Sequence, residues 1–182
     1  LPDSEAVKKD LNQKTRRSTR FAVLVMRDEQ KAEARRFFDT PLLFSIHEAK
    51  GLEYENVILW NFISGERASF QAIVAGVAAA DLDDELAYAR ARDKTDKSAE
   101  VYKFFINALY VAITRAVGGL YLIESDTRHP LLDLLGLKDA REKVEVAAQQ
   151  SSLEEWQAEA RKLELQGMQE QADEIRRGIL KV

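Results

Sequence analysis

Phe21-Ala22-Val23-Leu24-Val25-Met26 is a short, unbroken apolar run, the pattern of a β-strand covered on both faces. Helix formers follow at once from Asp28 to Phe38, with Asp28 expected at the cap ahead of Glu29 and with Ala32, Arg35 and Arg36 continuing a helical surface. Pro41 restarts the chain, and Leu42 to Ile46 reads as a second extended segment. After a Lys-Gly loop comes another buried-strand run, Val57-Ile58-Leu59-Trp60. Strands separated by helices predict an α/β fold with a parallel sheet and right-handed crossovers.

From Ser64 to Asp96 the sequence is alanine-rich and then strongly polar, with Gln71-Ala72-Ile73-Val74 and Leu82 to Ala91 readable as helices and Arg92 to Lys97 as an exposed loop. Val101, Phe104, Phe105, Ala108, Leu109 and Ala112 recur at helical spacing, which predicts a core-facing helix from Glu100 to Ala116, stopped by Gly118-Gly119. Leu120-Tyr121-Leu122-Ile123 is the next expected buried strand. His129-Pro130 marks the end of the sheet, with Leu131 to Leu137 packing back, so the first expected domain is residues 1–137.

From Lys138 the composition shifts to charged, glutamine-rich helix, and residues 138–182 read as a second unit. Ser152-Leu153-Glu154-Glu155 is a capping box, in which Ser152 accepts from the Glu155 amide and Glu155 reaches back. Leu153, Trp156, Ala160 and Leu163 line one helical face, Gly167 breaks the helix, and Met168, Ala172, Ile175 and Ile179 line a second face. The result is a helical hairpin of the tetratricopeptide-repeat kind, present as a single copy.

The chain has 182 residues, 46% hydrophobic and 32% charged, the composition of a folded domain with one good core. A net charge of −4 gives no global attraction to nucleic acid, so polyanion binding has to rest on a local patch. The absence of cysteine excludes disulfides and thiolate metal sites, and two isolated histidines leave little for zinc, so no metal site is expected. No apolar run approaches the roughly 20 residues needed to span a bilayer. No membrane association and a cytoplasmic location are therefore expected. The chain begins Leu1-Pro2-Asp3 without an initiator methionine and with a strand-like segment expected almost at once, as a piece of a larger protein would.

Two segments carry chemistry: Ser45-Ile46-His47-Glu48-Ala49-Lys50-Gly51-Leu52-Glu53-Tyr54 and Leu109-Tyr110-Val111-Ala112-Ile113-Thr114-Arg115-Ala116. The first opens a loop between two apolar strands with a Lys-Gly pair and a carboxylate. The second ends a helix on an arginine. Taken alone, Arg115 is a C-terminal cation favoured by the helix dipole, and the loop is a connection with solvated charges. His47-Glu48 is not the start of a zinc-protease motif, because Gly51 stands where the second histidine belongs.

Together the two segments resemble motifs V and VI of the UvrD/Rep-like superfamily 1 DNA helicases, in family order and with buried strands between them, over about residues 20 to 125. The resemblance implies the second RecA-like motor domain, a P-loop NTPase-like parallel sheet with flanking helices that lacks the P-loop. It implies that Arg115 is the arginine finger, whose planar, permanently charged fork stabilises charge spreading over phosphoryl oxygens. Lys50, Gly51, Glu53 and Thr114 would border ATP, with Glu53 placed to accept from a ribose hydroxyl. Ser45 and His47 would face single-stranded DNA. Arg27 either lies near the DNA or is an exposed strand-end arginine.

Three departures bound these implications. No Gly-x-x-x-x-Gly-Lys-Ser/Thr phosphate loop occurs, so the chain alone is not expected to hydrolyse ATP or to hold a nucleotide. Only Asp39 to Phe44 stands where many relatives carry a large inserted domain. Arg16-Arg17-Ser18 is a poor substitute for the upstream Asn-Tyr-Arg-Ser text that supplies a second γ-phosphate arginine. In the full-length protein ATP, Mg2+, single-stranded DNA and an N-terminal P-loop domain are the expected cofactors and partners, with a protein partner at the hairpin. The alternatives are a helicase-derived protein-interaction module without enzymatic activity and an isolated nucleic-acid-binding domain, the latter disfavoured by the acidic balance.

Overall fold

A computed structural model of the chain describes residues 1–82, 98–137 and 139–182. Its strands β1 (Phe21–Val25), β2 (Leu43–Ser45), β3 (Tyr54–Trp60) and β4 (Ala116–Ile123) form one all-parallel, four-stranded sheet in the order β2-β1-β3-β4. Among the described residues there are seven α-helices: α1 (Glu5–Thr15), α2 (Asp28–Ala34), α3 (Arg67–Val74), α4 (Ser98–Ile113), α5 (Pro130–Leu134), α6 (Leu153–Leu165) and α7 (Gln169–Ile175). This is the predicted α/β architecture, in a layout consistent with a RecA-like sheet. Apart from Leu82, which ends a 3₁₀ turn, the helix expected to Ala91 and the loop Arg92 to Lys97 lie outside the described residues, as does Lys138.

Successive strand side chains point to opposite faces, and here both faces are covered. Ala22, Leu24 and Leu59 join a cluster with Phe70 of α3, Phe105 and Leu109 of α4, and Trp156 and Leu163 of α6. Phe21, Val23, Val25 and Ile58 join a second cluster with Val7 and Leu11 of α1, Ala34 of α2, and Val144 and Val146. Each large apolar side chain so enclosed contributes about 1.5–3 kcal/mol. The buried apolar residues of α6 and α7 belong to the first of these clusters, so the hairpin packs directly on the sheet.

The structure corrects several local expectations. A helix, α1, precedes β1 in place of immediate strand; Ser4 Oγ accepts from the Val7 amide at 3.2 Å, and Val7 and Leu11, four apart, seat the helix on the sheet. Asp28 is not the cap of α2. Arg27 holds that position in extended conformation, its amide donating to Gln30 Oε1 at 2.9 Å, and Asp28 sits in the first turn, where the dipole favours a carboxylate. Helix α4 ends at Ile113, not Ala116, because the Tyr54 amide takes the Arg115 carbonyl into the sheet ladder at 2.9 Å.

Gly118 and Gly119 therefore lie inside β4. A Cβ on Gly118 would sit 3.0 Å from the Glu55 carbonyl, and one on Gly119 would collide with Asn56 Oδ1, beside the irregular register between Tyr54 and Asn56. As the edge strand, β4 is only half-buried over much of its length. Val101, Phe104 and Leu153 are exposed, whereas Phe105, Ala108, Leu109 and Ala112 face the core as expected. In the hairpin the Ser152–Glu155 capping box forms in both directions, at 3.2 and 2.7 Å, and Gly167 takes the left-handed φ of +80° that ends α6.

Candidate functional site

The connection from β2 to β3 is a tight turn without a helix, and because β1 lies between those strands it crosses from one side of β1 to the other. Ala49 donates to the Ser45 carbonyl and Leu52 to the Ala49 carbonyl, each at 3.0 Å. Ile46, Ala49 and Leu52, spaced by three, are buried beneath it, which leaves His47, Lys50, Gly51 and Glu53 exposed. Gly51 has φ +88°, a conformation that side chains rarely adopt. The residue type at this position is set by the backbone.

Arg115, half-buried, is fixed by three neutral acceptors. Its Nε donates to the Val111 carbonyl at 3.1 Å, Nη1 to the Leu52 carbonyl at 3.0 Å and Nη2 to Thr114 Oγ1 at 3.2 Å. Thr114 in turn donates to the Val111 carbonyl at 3.0 Å. Among the described residues Arg115 meets no carboxylate, and the side chains of Lys50 and Glu53 make no hydrogen bond or ion pair. The guanidinium is thus held in place with no carboxylate among the described residues paired to it.

In a parallel sheet all strands start at one edge and finish at the other. Gly51 to Glu53 precede β3, and Thr114 and Arg115 precede β4, so the structure brings these together at the starting edge. Arg27 and His47 follow β1 and β2 and Ser45 ends β2, which puts all three at the finishing edge. The two groups assigned to different ligands are therefore separated by the length of the sheet.

The second group is less ready for contact than the sequence suggested. Ser45 is fully buried, and its Oγ has no hydrogen-bond partner among the described residues. Arg27 is ion-paired with Glu66, which further favours its charged form. His47 is exposed, its ring centroid 6.3 Å from that of exposed Phe104 on α4. A separate cavity of about 440 Å³ between β4 and Asp139–Glu145 contains none of the predicted site residues.

Compared with known proteins, the chain matches no family model, and no curated protein or solved structure gives a significant match. Function has to be argued from the site.

Sequence reasoning passed over the residue that shapes the turn. Glu48 accepts from the Ser45 amide at 2.9 Å through Oε2, from Lys31 Nζ at 2.8 and 3.0 Å, and from Gln171 Nε2 at 3.2 Å. Burial alone would lower the Lys31 pKa, but the Glu48 and Glu170 carboxylates outweigh it and hold the ammonium above its ordinary value. The signal was Ser45-x-x-Glu48, the spacing of a capping box, in which the glutamate reaches back to the serine amide. Tyr54 was also passed over: its hydroxyl donates to Glu159 Oε1 of α6 at 2.7 Å, and burial followed by the adjacent carboxylate pushes its pKa well above the ordinary phenol range. Among the described residues no group of three or more His, Asp or Glu side chains is arranged to hold a metal ion.

Proposed function

We propose that this chain is the second RecA-like domain of a UvrD/Rep-like superfamily 1 DNA helicase, supplying Arg115 as an arginine finger and one wall each of the ATP and single-stranded DNA sites. One observation carries the reading: Arg115, locked but paired with no carboxylate among the described residues, is bonded to one end of the same turn that presents His47 at the opposite edge of the sheet. The chain alone is not an ATPase in this reading. The phosphate loop and the carboxylates for Mg2+ belong to the N-terminal P-loop domain, since this chain has neither the loop sequence nor a metal-binding group among its described residues.

When ATP is bound, it supplies a γ-phosphoryl group whose oxygens gather charge during transfer. Arg115 spends three of its five N–H donors on its anchors among the described residues, which leaves two to meet that charge. Thr114 fixes the fork's orientation, which lowers the entropy cost of using it. Lys50 adds a second free cation, Gly51 brings the backbone close, and Glu53 accepts from a ribose hydroxyl. At the other edge His47 and Phe104 offer adjoining exposed rings on which a base can stack, a sequence-tolerant contact. Ser45 supports that edge from within and Arg27 is engaged by Glu66, so neither is a primary contact.

The test is DNA-stimulated ATP hydrolysis by the longer protein that carries the P-loop domain. Arg115→Ala is expected to leave nucleotide binding nearly intact and to cut turnover by about 10³–10⁵. Unaltered turnover overturns the assignment. One feature favours the alternative of a protein-interaction module: Leu153 and Leu165 stand exposed on α6, as they would beneath a further helical repeat. In that case the intact protein binds no nucleotide.

A further inference from the structure

Strand β2 is an edge of the sheet, and its pairing decides which of its backbone groups are left over. Val23 donates to the Leu42 carbonyl at 2.9 Å, so Leu42 and Phe44 face β1 while the carbonyl of Leu43 and the amide of Ser45 point outward. The Leu43 carbonyl and the Ser45 amide are each taken by a side chain. Gln171 Nε2, on a residue only 1% exposed, donates to the Leu43 carbonyl at 3.3 Å; Glu48 Oε2 accepts from Ser45 at 2.9 Å; and Gln171 and Glu48 bond each other at 3.2 Å. A glutamine from α7 and a glutamate from the turn stand in for a missing strand. Around them Lys31 joins Glu48 to Glu170, and Arg35 joins Glu170 and Glu174, at 2.8–3.5 Å, so that α7 is tied across α2.

The far end of the turn is held by the other helix of the hairpin. Tyr54 bonds Glu159 of α6, and Lys162 lies 4.5 Å over the Tyr54 ring while pairing with Glu159 at 3.2 Å. We propose that the C-terminal hairpin is a positioning strap for the turn between β2 and β3, α7 fixing its Ser45–Glu48 end through Gln171 and α6 fixing its Tyr54 end through Glu159. Displacing the hairpin frees both ends of the segment on which His47 is mounted and to which Arg115 is bonded.

The strap goes beyond the motor reading, and its test is read without nucleotide or DNA, so the two fail separately. Amide hydrogen exchange is measured on residues 1–182 of wild type, Gln171→Leu, Tyr54→Phe and Glu48→Gln. Gln171→Leu fills the site with an apolar side chain of similar size that cannot hydrogen-bond, and is expected to speed exchange at Ser45, Ala49 and Leu52 by about tenfold, leaving Leu24 and Ile58 in the sheet unchanged. Tyr54→Phe is expected to speed Leu52 and Tyr54 but not Ser45. In the Glu48→Gln background Gln171→Leu adds less than about twofold, because both act through one hydrogen-bonded pair. Unchanged rates in the turn overturn the proposal, as does a uniform rise across turn and sheet.

Discussion

Replacing Trp156 with alanine is expected to destabilise the sheet as well as the hairpin. Trp156 is 1% exposed and shares a cluster with Ala22, Leu24, Tyr54 and Leu59 of the sheet and with Ala160, Leu163, Ala172 and Ile175 of the hairpin. Truncating a buried aromatic costs about 3–5 kcal/mol, transfer and cavity terms together, against a typical total of about 5–15 kcal/mol. With a urea slope of about 2 kcal/mol per molar, the unfolding midpoint should fall by about 1.5–2.5 M. The variant keeps one tryptophan, Trp60, which is buried on the opposite face of the sheet among Phe21, Val23 and Ile58 and so reports the sheet alone. Urea curves followed by Trp60 fluorescence and by far-ultraviolet circular dichroism should shift together. A Trp60 midpoint that stays at the wild-type value while a separate helical transition moves down would refute the common core and make the hairpin an independent unit.

Gly119→Ala is expected to cost about 1–3 kcal/mol in the same urea assay, since its Cβ meets Asn56 Oδ1 and lies 3.2 Å from the Tyr121 ring. Gly178→Ala, where nothing lies within 4 Å of the added atom, should be neutral or stabilise by about 0.4–1 kcal/mol. Asp3 provides a pH dependence: burial would raise its pKa, but hydrogen bonds from Lys8, Asn61 and Trp60 outweigh it and hold it below the ordinary value. A folded-state pKa below the unfolded one contributes stability above the unfolded value of 3.8 that is lost as pH falls through the folded one. Asp3→Asn should therefore flatten the acid limb of a stability-against-pH curve below about pH 4, and an unchanged limb would refute the linkage.

The sheet was legible because β1, β3 and β4 each carry a continuous apolar run, Phe21–Val25, Val57-Ile58-Leu59-Trp60 and Leu120-Tyr121-Leu122-Ile123, the pattern of strands packed within a sheet core. What escaped was decided by contacts distant in sequence. Gly118-Gly119 reads as a helix stop, yet the pair serves the close approach of β3, which nothing in its neighbours announces. Helix α1 was visible in Ser4, Val7 and Leu11, but two apolar positions among many charges make a thin stripe. The apparent break at Lys138 comes from averaging: the outer faces of α6 and α7 are charged, and the mean conceals an inner face as buried as the sheet. Of the candidate site, the resemblance grouped Lys50, Gly51 and Glu53 with Thr114 and Arg115, whereas the Leu52 carbonyl that meets Arg115, the burial of Ser45 and the pairing of Arg27 with Glu66 needed coordinates.

The net charge of −4 is a poor guide to the field at the site, because much of the acid is engaged inside the molecule. Glu48, Glu170 and Glu174 neutralise Lys31 and Arg35, Glu66 neutralises Arg27, and Glu159 is shared by Lys162 and Tyr54. Charges so paired at close range contribute little beyond a Debye length of about 8–10 Å. Lys50 and Arg115 are different, for no described carboxylate meets either, and the half-buried Arg115 is shielded from screening on one side by Val111 and Leu52. Arg115 at the strand-start edge and Lys50 in the turn are thus two cations that no carboxylate among the described residues pairs, on an acidic protein. On the proposed reading, in which these two cations meet phosphate, raising the salt concentration should weaken the attraction at exposed Lys50 more than at half-buried Arg115.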